Sequence, residues 1–222
     1  MAAAIALENV TAGYGGKPVL QNISLQIEAG ERVAIMGRSG AGKSTLINLI
    51  YRSCAERAAL MPQASALVAN LSVFHNVFMG RLDRHMALYN LRTLIWPPAG
   101  EVEAVSQVLS AVGLSDKIFA KAGELSGGQQ QRASAARAIY NGRPILLGDE
   151  PVSALDRVQA GEVLRLLSAR HQTKIFALHD IRLALEYTAR VILLEQGRIV
   201  LDEPAKRLSY ERLLPFFEGE LV

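Results

Sequence analysis

Short apolar runs alternate along the chain with segments in which apolar residues recur at helical spacing. The runs predict strands at Ile5–Val10, Ile23–Ile27, Arg32–Met36, Pro144–Gly148 and Lys174–Leu178. The helical spacing predicts helices at Lys43–Arg52, after Ser126-Gly127-Gly128 through Ile139, at Arg157–Arg170 and at Ile181–Thr188. A terminal hairpin is predicted from Arg190–Glu195 and Arg198–Leu201, which flank Gln196-Gly197. Strands that alternate with helices indicate an α/β fold with a mostly parallel sheet.

The middle of the chain has a different pattern. Helical periodicity runs from about Leu67 to Val112 without comparable strands, and Pro97-Pro98-Ala99-Gly100 interrupts it. We therefore predict a helical subdomain at about residues 67–125, within a single domain that spans residues 1–222.

Composition and charge exclude several classes of protein. The single cysteine, Cys54, excludes a disulfide within the chain. A net charge of +3 provides no broad basic surface, so we expect no nucleic-acid partner. No apolar stretch of about 20 residues occurs, and the first residues lack the basic charge of a signal peptide, so we expect an intracellular protein without a membrane span. The mean hydropathy of +0.18 indicates that a partner or a second copy covers apolar surface.

The segment Gly37–Thr45 matches the phosphate-binding pattern G-x-x-x-x-G-K-[ST] and stands between a predicted strand and a predicted helix. Its glycines let backbone N–H groups face phosphate oxygens, and the start of the helix adds its positive end. The lysine of this pattern neutralises phosphates, and the hydroxyl that follows can ligate Mg²⁺. The alternative is a glycine-rich turn that binds nothing. The candidate nucleotide-binding residues are Gly37, Ser39, Gly40, Ala41, Gly42, Lys43, Ser44 and Thr45, with Ser44 also a candidate metal ligand.

Two adjacent acids, Asp149 and Glu150, follow the apolar strand Pro144–Gly148. In a protein with a phosphate loop the first acid normally faces the Mg²⁺ shell, so Asp149 is a predicted metal ligand. Glu150 is then placed to polarise a water in line with the γ-phosphate. The alternative is a pair of acids that only caps the edge of a sheet.

A third motif, Leu125-Ser126-Gly127-Gly128-Gln129, stands before a predicted helix. With it, nearly the whole chain resembles the nucleotide-binding subunit of an ABC transporter. The resemblance implies a P-loop NTPase core with a mostly parallel sheet, a reduced antiparallel β arm and a helical subdomain. It also implies that two copies sandwich two ATP molecules with Mg²⁺, because a second helix start can bind the γ-phosphate held on the opposite chain. Without the resemblance, the motif Leu125–Gln129 is typical of a helix start. The residues implied here are Ser126, Gly127, Gly128 and Gln129.

Four further positions resemble functional residues of that family. Tyr14 resembles the aromatic residue that stacks on adenine, and Asp156 lies in a segment that resembles the loop crossing the dimer interface. Gln63 resembles the glutamine that contacts Mg²⁺ and the attacking water, and His179 resembles the histidine that hydrogen-bonds the γ-phosphate. Without the resemblance, Tyr14 is a surface or core residue, Gln63 a polar loop residue and Asp156 a helix cap. The implied catalytic residues are Lys43, Gln63, Glu150 and His179. The other histidines, expected to be solvated, are His75, His85 and His171.

One segment departs from the family pattern. Gln63 follows Lys43 by only 20 residues, whereas the family has a longer connection that forms a small antiparallel arm beside the nucleotide. Residues 52–58 must replace that arm, so we expect it to be shortened or absent. The phosphate-binding residues are expected to be unaffected.

The resemblance also implies partners. An ATPase without a membrane span needs separate transmembrane permease subunits, which should dock near Gln63 and residues 71–94, and it would work with a solute-binding protein only indirectly. The expected location is cytoplasmic, peripheral on the inner face of the cell membrane.

The substrate class is indicated by residues 71–82 and the basic, aromatic stretch that follows through Trp96-Pro97, which are similar to ATPases of phosphonate importers. A generic helical subdomain is the alternative explanation for this stretch. We expect import of a phosphonate-type or related phosphorus oxyanion. Three alternatives stay open: an importer ATPase for another small solute, an ATP-gated assembly factor of a soluble enzyme complex, and a soluble ABC protein acting on ribosomes or DNA.

Overall fold

The computed structural model describes residues 3–217. In this range the strands are β1 Ala3–Tyr14, β2 Lys17–Glu28, β3 Arg32–Met36, β4 Ala58–Met61, β5 Ile145–Asp149, β6 Thr173–Ala177, β7 Arg190–Glu195 and β8 Arg198–Pro204. The α-helices are α1 Lys43–Cys54, α2 Val73–Phe78, α3 Ala87–Ile95, α4 Ala99–Ala111, α5 Gly127–Asn141, α6 Arg157–Arg170, α7 Ile181–Tyr187 and α8 Tyr210–Leu213.

The described residues divide into two compact units. The first is built from residues 1–63, 143–151 and 171–222, as far as they are described, and contains β1–β8 with α1, α7 and α8. The second comprises residues 64–142 and 152–170 and contains α2–α6. The helical subdomain expected at about residues 67–125 lies inside the second unit, and the boundaries of a single domain stay a prediction. Nowhere in residues 3–217 does a helix have the length and apolar character needed to cross a bilayer.

The first unit contains the main sheet, whose strand order among the described residues is β4-β5-β6-β3-β7-β8. The strands from β4 to β7 run parallel, and β8 pairs antiparallel with β7. Every residue of β5 and β6 is buried, as expected for parallel strands covered on both faces. Because these strands are parallel, the residues that follow β3, β4, β5 and β6 reach the same edge of the sheet. The predicted α/β fold is confirmed.

A second, two-stranded antiparallel sheet is formed by β1 and β2. Alternate residues of β2, such as Ile23, Leu25 and Ile27, are buried in one core with apolar side chains of α1 and the main sheet. Both strands are 12 residues long, well beyond the predicted segments. The pairing has register shifts, including one between Leu7 and Val10, and these interrupt the alternation that a sequence pattern detects.

Strand β4 was not predicted from the sequence. It has four residues and pairs in parallel with β5, from Ala58 opposite Ile145 to Met61 opposite Gly148. A 3₁₀ turn at Ala55–Arg57 connects it to α1. The fully described segment between Lys43 and Gln63 therefore holds a helix, a turn and one parallel strand, without an antiparallel arm, as its length indicated.

Candidate functional site

The loop between β3 and α1 takes a conformation that only glycine adopts easily. Gly37, Gly40 and Gly42 have φ values of +141°, +76° and +104°. A Cβ atom at Gly37 would lie 2.3 Å from the carbonyl oxygen of Leu194, and one at Gly42 would lie 2.8 Å from Cδ2 of Leu20. The backbone angle therefore favours glycine at all three positions, and close packing also requires it at Gly37 and Gly42. They let the loop curl over the first turn of α1.

Lys43 is the first residue of α1, and its side chain is buried inside this loop. Its Nζ donates hydrogen bonds to the carbonyl oxygens of Gly37 at 2.8 Å and Arg38 at 3.0 Å. The first intrahelical bond runs from the N–H of Leu46 to the carbonyl of Gly42 at 2.9 Å. The N–H groups of residues 43–45 therefore have no acceptor within the helix, and together with the ammonium group they form a site for an anion.

Asp149 ends β5 beside this loop and is 5% exposed. The Ser44 hydroxyl hydrogen-bonds its carboxylate, while its Oδ1 atom is buried without a hydrogen-bond partner among the described residues. Burial raises the pKa of Asp149, and the neighbouring Glu150 carboxylate adds to this, whereas Ser44, Lys43 and His179 act in the opposite direction.

Ser44 and Asp149 together fit a magnesium ion. A buried carboxylate oxygen without a partner, next to a hydroxyl, is a donor set that a hard cation prefers. Residues 3–217 contain no cluster of three or more His, Cys, Asp or Glu side chains that could hold a metal by themselves. Mg²⁺ needs no such cluster, since it commonly takes one carboxylate, a hydroxyl, waters and the phosphates of a nucleotide.

Glu150 follows directly and has a φ of +53°, a left-handed conformation that costs a residue with a side chain about 1–3 kcal/mol. Its N–H donates to the carbonyl of Ala177 at 3.1 Å, which anchors it to the end of β6. Its Oε1 lies 2.5 Å from Nε2 of His179. The adjacent strand ends thus bring Glu150 and His179 together. Strained backbone of this kind is typical of functional sites.

Gln63 and Tyr14 lie at the surface of the first unit. Gln63 is exposed two residues after β4, and the pairing of Met61 with Gly148 places the end of that strand beside the end of β5. Tyr14 is 62% exposed at the end of β1. The β1–β2 pair contacts the phosphate loop through Leu20 of β2, which packs against Gly42. The roles of Gln63 and Tyr14 stay predictions.

In the second unit, the Ser-Gly-Gly-Gln motif forms the start of α5. The Ser126 Oγ accepts a hydrogen bond from the N–H of Gln129 at 3.3 Å, and the Gln129 Oε1 accepts one from the N–H of Ser126 at 2.9 Å. This reciprocal capping fixes the first turn and leaves its other N–H groups without intrahelical acceptors. Gly127 and Gly128 stand in that turn, and a Cβ at Gly128 would lie 3.2 Å from Cδ2 of Leu155. The motif is therefore a capped helix start, and its role as an anion site stays a prediction.

Asp156 caps the next helix, α6. Its Oδ1 accepts hydrogen bonds from the N–H groups of Val158 and Gln159, each at 3.0 Å. This is the capping role that the sequence allowed as an alternative. It does not decide the predicted position of the loop at a dimer interface.

Three further residues have structural roles that no local sequence pattern indicates. Gln131 on α5 accepts a hydrogen bond from the N–H of Ala154 at 2.7 Å and donates to the Ser153 Oγ at 3.2 Å, which ties that loop to the motif helix. Arg143 donates to the carbonyls of Ala55 and Ala58 and so fixes the turn that leads into β4. Their partners lie far away in the sequence, so no local pattern marks them. The third residue is His171, which was wrongly expected to be solvated and is 4% exposed.

The sequence of this chain matches the ABC transporter family over residues 20–153, and the chain belongs to that family. It is an ATPase of the ABC class. It is similar to the phosphonates import ATP-binding protein PhnC of Pseudomonas putida, with 36% identity over 98% of this chain and 91% of that protein. The protein of the same name from Lactococcus lactis subsp. cremoris is also 36% identical, over 97% of this chain and 99% of the relative.

A solved dimeric bacterial ABC transporter cassette resembles the structure closely. Its TM-score is 0.78 at 28% sequence identity, and the similarity covers 90% of this chain and 98% of the cassette. The predicted fold and family are confirmed.

Proposed function

We propose that this chain powers the import of phosphonates, or of a related phosphorus oxyanion, through separate transmembrane permease subunits. The similarity to a phosphonates import ATP-binding protein supports the substrate class, since 36% identity extends over 98% of this chain. The observation that carries the ATPase mechanism is the meeting of Lys43, Asp149 and Glu150 at one edge of the main sheet.

ATP binds with its phosphates over the loop Gly37–Thr45. The Lys43 ammonium and the N–H groups at the start of α1 face the β- and γ-phosphates, and the backbone at Ser39–Ala41 encloses them. Tyr14, exposed at the end of β1, stacks on the adenine ring. The buried Lys43 ammonium supports this placement of the phosphates.

The Ser44 hydroxyl and the Asp149 carboxylate would hold Mg²⁺, with Gln63 as a further ligand. When bound, the ion neutralises charge on the phosphate oxygens. The partnerless Asp149 Oδ1 supports this assignment.

Glu150 acts as the general base for the attacking water, and His179 orients it. The 2.5 Å contact between His179 Nε2 and Glu150 Oε1 holds the carboxylate at the end of β5. His179 and Gln63 also hydrogen-bond the γ-phosphate and the water. Phosphoryl transfer depends mainly on positioning and on charge neutralisation, which these residues supply.

Two copies of the chain enclose two nucleotides. The start of α5, with Ser126, Gly127, Gly128 and Gln129, contacts the γ-phosphate bound to the opposite chain, and the segment around Asp156 lies at the interface. Ordered N–H groups in a capped first turn support this second anion site. ATP then closes the pair, and hydrolysis opens it.

The permease subunits dock near Gln63 and residues 71–94, which places the protein on the inner face of the cell membrane. A solute-binding protein delivers the substrate from the other side without touching this chain. No nucleic acid takes part, since the net charge is only +3.

Dimer formation can be tested with the variant Glu150→Gln, which should retain ATP. Size-exclusion chromatography with MgATP is expected to show a dimer that disappears with MgADP. The double variant Lys43→Ala, Glu150→Gln is the matched control and should stay monomeric. A Glu150→Gln protein that binds MgATP yet stays monomeric at all concentrations would contradict the sandwich.

Import can be tested by copurification in mild detergent followed by reconstitution with the recovered permease. We expect membrane subunits, and phosphonate with its binding protein should stimulate ATP hydrolysis in the proteoliposomes. Copurification with soluble enzymes alone would instead indicate an assembly factor.

A further inference from the structure

A single arginine of α5 holds the segment that follows Gln63. The Arg137 Nη1 atom donates a hydrogen bond to the carbonyl oxygen of Ala66 at 2.8 Å, and its Nη2 atom donates one to that of Ser65 at 2.9 Å. The two terminal nitrogens of one guanidinium group thus bind two consecutive peptide carbonyls. These partners are 71 and 72 positions away in the sequence, so the contact joins distant stretches of the second unit.

The environment of Arg137 favours this residue type. Arg137 is partly buried, and no carboxylate pairs with it in the part of the chain that the structure describes. Burial lowers the pKa of its guanidinium group, because the charged form loses solvation. The two carbonyl hydrogen bonds offset that cost. Among the cationic side chains, only arginine has two donor groups in a fixed plane that can reach both carbonyls at once.

Gln130 adds a second link from the same helix. Its Oε1 atom accepts a hydrogen bond from the Ser65 hydroxyl at 3.5 Å, and its Nε2 atom donates one to the carbonyl of Leu125 at 3.2 Å. Gln130 and Arg137 are about two helical turns apart, on one face of α5. Leu125 immediately precedes Ser126, so α5 contacts both the entry to its own capped start and the segment at Ser65.

The rest of this segment is also fixed. Ala66 has a φ of +47°, a left-handed conformation that persists in a residue with a side chain only where the surroundings impose it. The N–H of Val68 donates to Oδ1 of Asn76 on α2 at 2.7 Å, and the Val68 carbonyl accepts from Asn76 Nδ2 at 3.1 Å. Asn76 is fully buried. Residues 65–68 are therefore attached to α5 at one end and to α2 at the other.

We propose that Arg137 is a positioning residue, which fixes the backbone of Ser65 and thereby the place from which the Gln63 side chain acts. Only Ala64 stands between Gln63 and Ser65, and two peptide units span at most about 7 Å between Cα atoms. The fixed Ser65 carbonyl therefore restricts where Gln63 can lie. The inference rests on the proposed role of Gln63 toward Mg²⁺ and the attacking water, and it adds the residue that sets the position of Gln63.

The variant Arg137→Lys tests this role, because it keeps the positive charge and removes the paired donors. We expect kcat of ATP hydrolysis to fall by about tenfold or more, since a small misplacement of a positioned group has an effect of this size. The ATP affinity and the number of ATP sites per chain should stay unchanged, because the contact touches no phosphate-binding residue. A loss of ATP sites in proportion to the loss of turnover would overturn the proposal, since it would indicate unfolded protein.

Arg132→Lys is the matched control. Arg132 lies on the same helix and also donates to two backbone carbonyls, those of Val112 at 3.1 Å and Gly113 at 3.3 Å. These carbonyls belong to the turn after α4 and not to the segment after Gln63. Arg132→Lys should therefore hydrolyse ATP like the wild type. A loss of kcat as large as that of Arg137→Lys would contradict a specific role for Arg137.

A second readout does not involve turnover. In the nucleotide-free protein, amide hydrogen exchange in residues 64–68 should be faster in Arg137→Lys than in the wild type, because the segment loses one of its attachments. Arg132→Lys should exchange like the wild type in these residues. Equal exchange in all three proteins would show that Arg137 does not hold the segment, and the proposal would fail.

The double variant Gln63→Ala, Arg137→Lys separates this inference from the proposed role of Gln63. If Arg137 acts through Gln63, the double variant should hydrolyse ATP no more slowly than Gln63→Ala alone. Losses that multiply would overturn the positioning role of Arg137 and leave the role of Gln63 intact. Turnover of Gln63→Ala at the wild-type rate would overturn both, whereas the role of Glu150 is tested independently by Glu150→Gln.

Discussion

The Nε2 atom of His179 lies 2.5 Å from the Oε1 atom of Glu150, although the two residues are 29 positions apart in the sequence. The pairing of β5 with β6 produces this contact, since Asp149 stands opposite Ala177 and both strands end there. The Glu150 carboxylate is thereby held by a side chain that follows the neighbouring strand β6.

Replacing Glu150 by Gln should preserve ATP binding and slow hydrolysis by about a hundredfold or more, because the amide cannot accept the proton of the attacking water. Nucleotide titration and a phosphate-release assay measure the two effects separately. Glu162→Gln, at an exposed position on α6, is the control and should hydrolyse ATP like the wild type. Turnover of Glu150→Gln at the wild-type rate would remove Glu150 from the catalytic set.

Asp149→Asn should stabilise the nucleotide-free protein at neutral pH and abolish the Mg²⁺ dependence of ATP binding. Burial raises the pKa of Asp149 above its ordinary value of 3.8, so its ionisation disfavours the folded state. This penalty is absent well below pH 3.8, where folded and unfolded chains are both protonated, grows as the pH rises from 3.8 to the folded-state pKa, and is complete above it.

Urea unfolding of wild type and Asp149→Asn at pH 7 and below pH 3.8 measures that difference. The gain in unfolding free energy is expected at pH 7 and should shrink in acid. Asp116→Asn, at a carboxylate 73% exposed, is the control and should change stability by less than about 0.5 kcal/mol. An Asp149→Asn protein less stable than the wild type at pH 7 would show that burial is not the dominant effect on the pKa of the Asp149 carboxylate.

Gly37→Ala should destabilise the protein by about 1–3 kcal/mol and weaken ATP binding. The added Cβ would lie 2.3 Å from the carbonyl oxygen of Leu194, so the loop would have to move away from that carbonyl. Gly100→Ala is the matched control. Gly100 is a helical residue near the start of α4, and a Cβ there meets no atom within 4 Å. Chemical denaturation should show a lower unfolding free energy for Gly37→Ala and an unchanged or slightly higher one for Gly100→Ala. Nucleotide titration should show weaker ATP binding for Gly37→Ala only.

His171 should contribute to acid unfolding. Its ring lies within 2.7 Å of the Arg143 carbonyl through Nδ1, and its Nε2 is buried without a partner among the described residues. Burial lowers the pKa of His171, so below its ordinary value of 6.5 the unfolded chain takes up a proton that the folded chain refuses.

The unfolding free energy should then fall with decreasing pH by up to about 1.4 kcal/mol per unit through this group, until the folded-state pKa is reached. Above pH 6.5 the group should have no effect, since it is neutral in both states. In His171→Asn the slope below pH 6.5 should be smaller by the same amount. Identical pH profiles of the two proteins would contradict this.

Local patterns predicted the parts of the molecule that local chemistry determines. The loop Gly37–Thr45 lies between a strand and a helix as predicted, because an apolar strand, several glycines and a lysine follow one another, and the two acids lie at the end of β5. Strand β3 begins and ends where the pattern put it, at Arg32 and Met36. The roles of these residues toward ATP and Mg²⁺ follow from the family resemblance and stay predictions.

Features that depend on distant partners were not visible in the sequence. Strand β4 has only four residues, too few for a period, and it exists because β5 pairs with it. The leucines of α3 have the spacing of a core-facing helix, yet polar bonds from Tyr89 and Asn90 turn them outward. His171 is buried with its Nδ1 atom 2.7 Å from the carbonyl of Arg143, which lies 28 positions away in the sequence.

The short strand β4 is fixed by two separate sets of contacts. Its four residues pair with β5, and Arg143 holds the preceding turn through the carbonyls of Ala55 and Ala58. Arg143 stands two residues before β5, so one short stretch of chain secures both the turn and the strand that lead to Gln63. A residue inserted in that turn would therefore have to break these hydrogen bonds before it could displace β4.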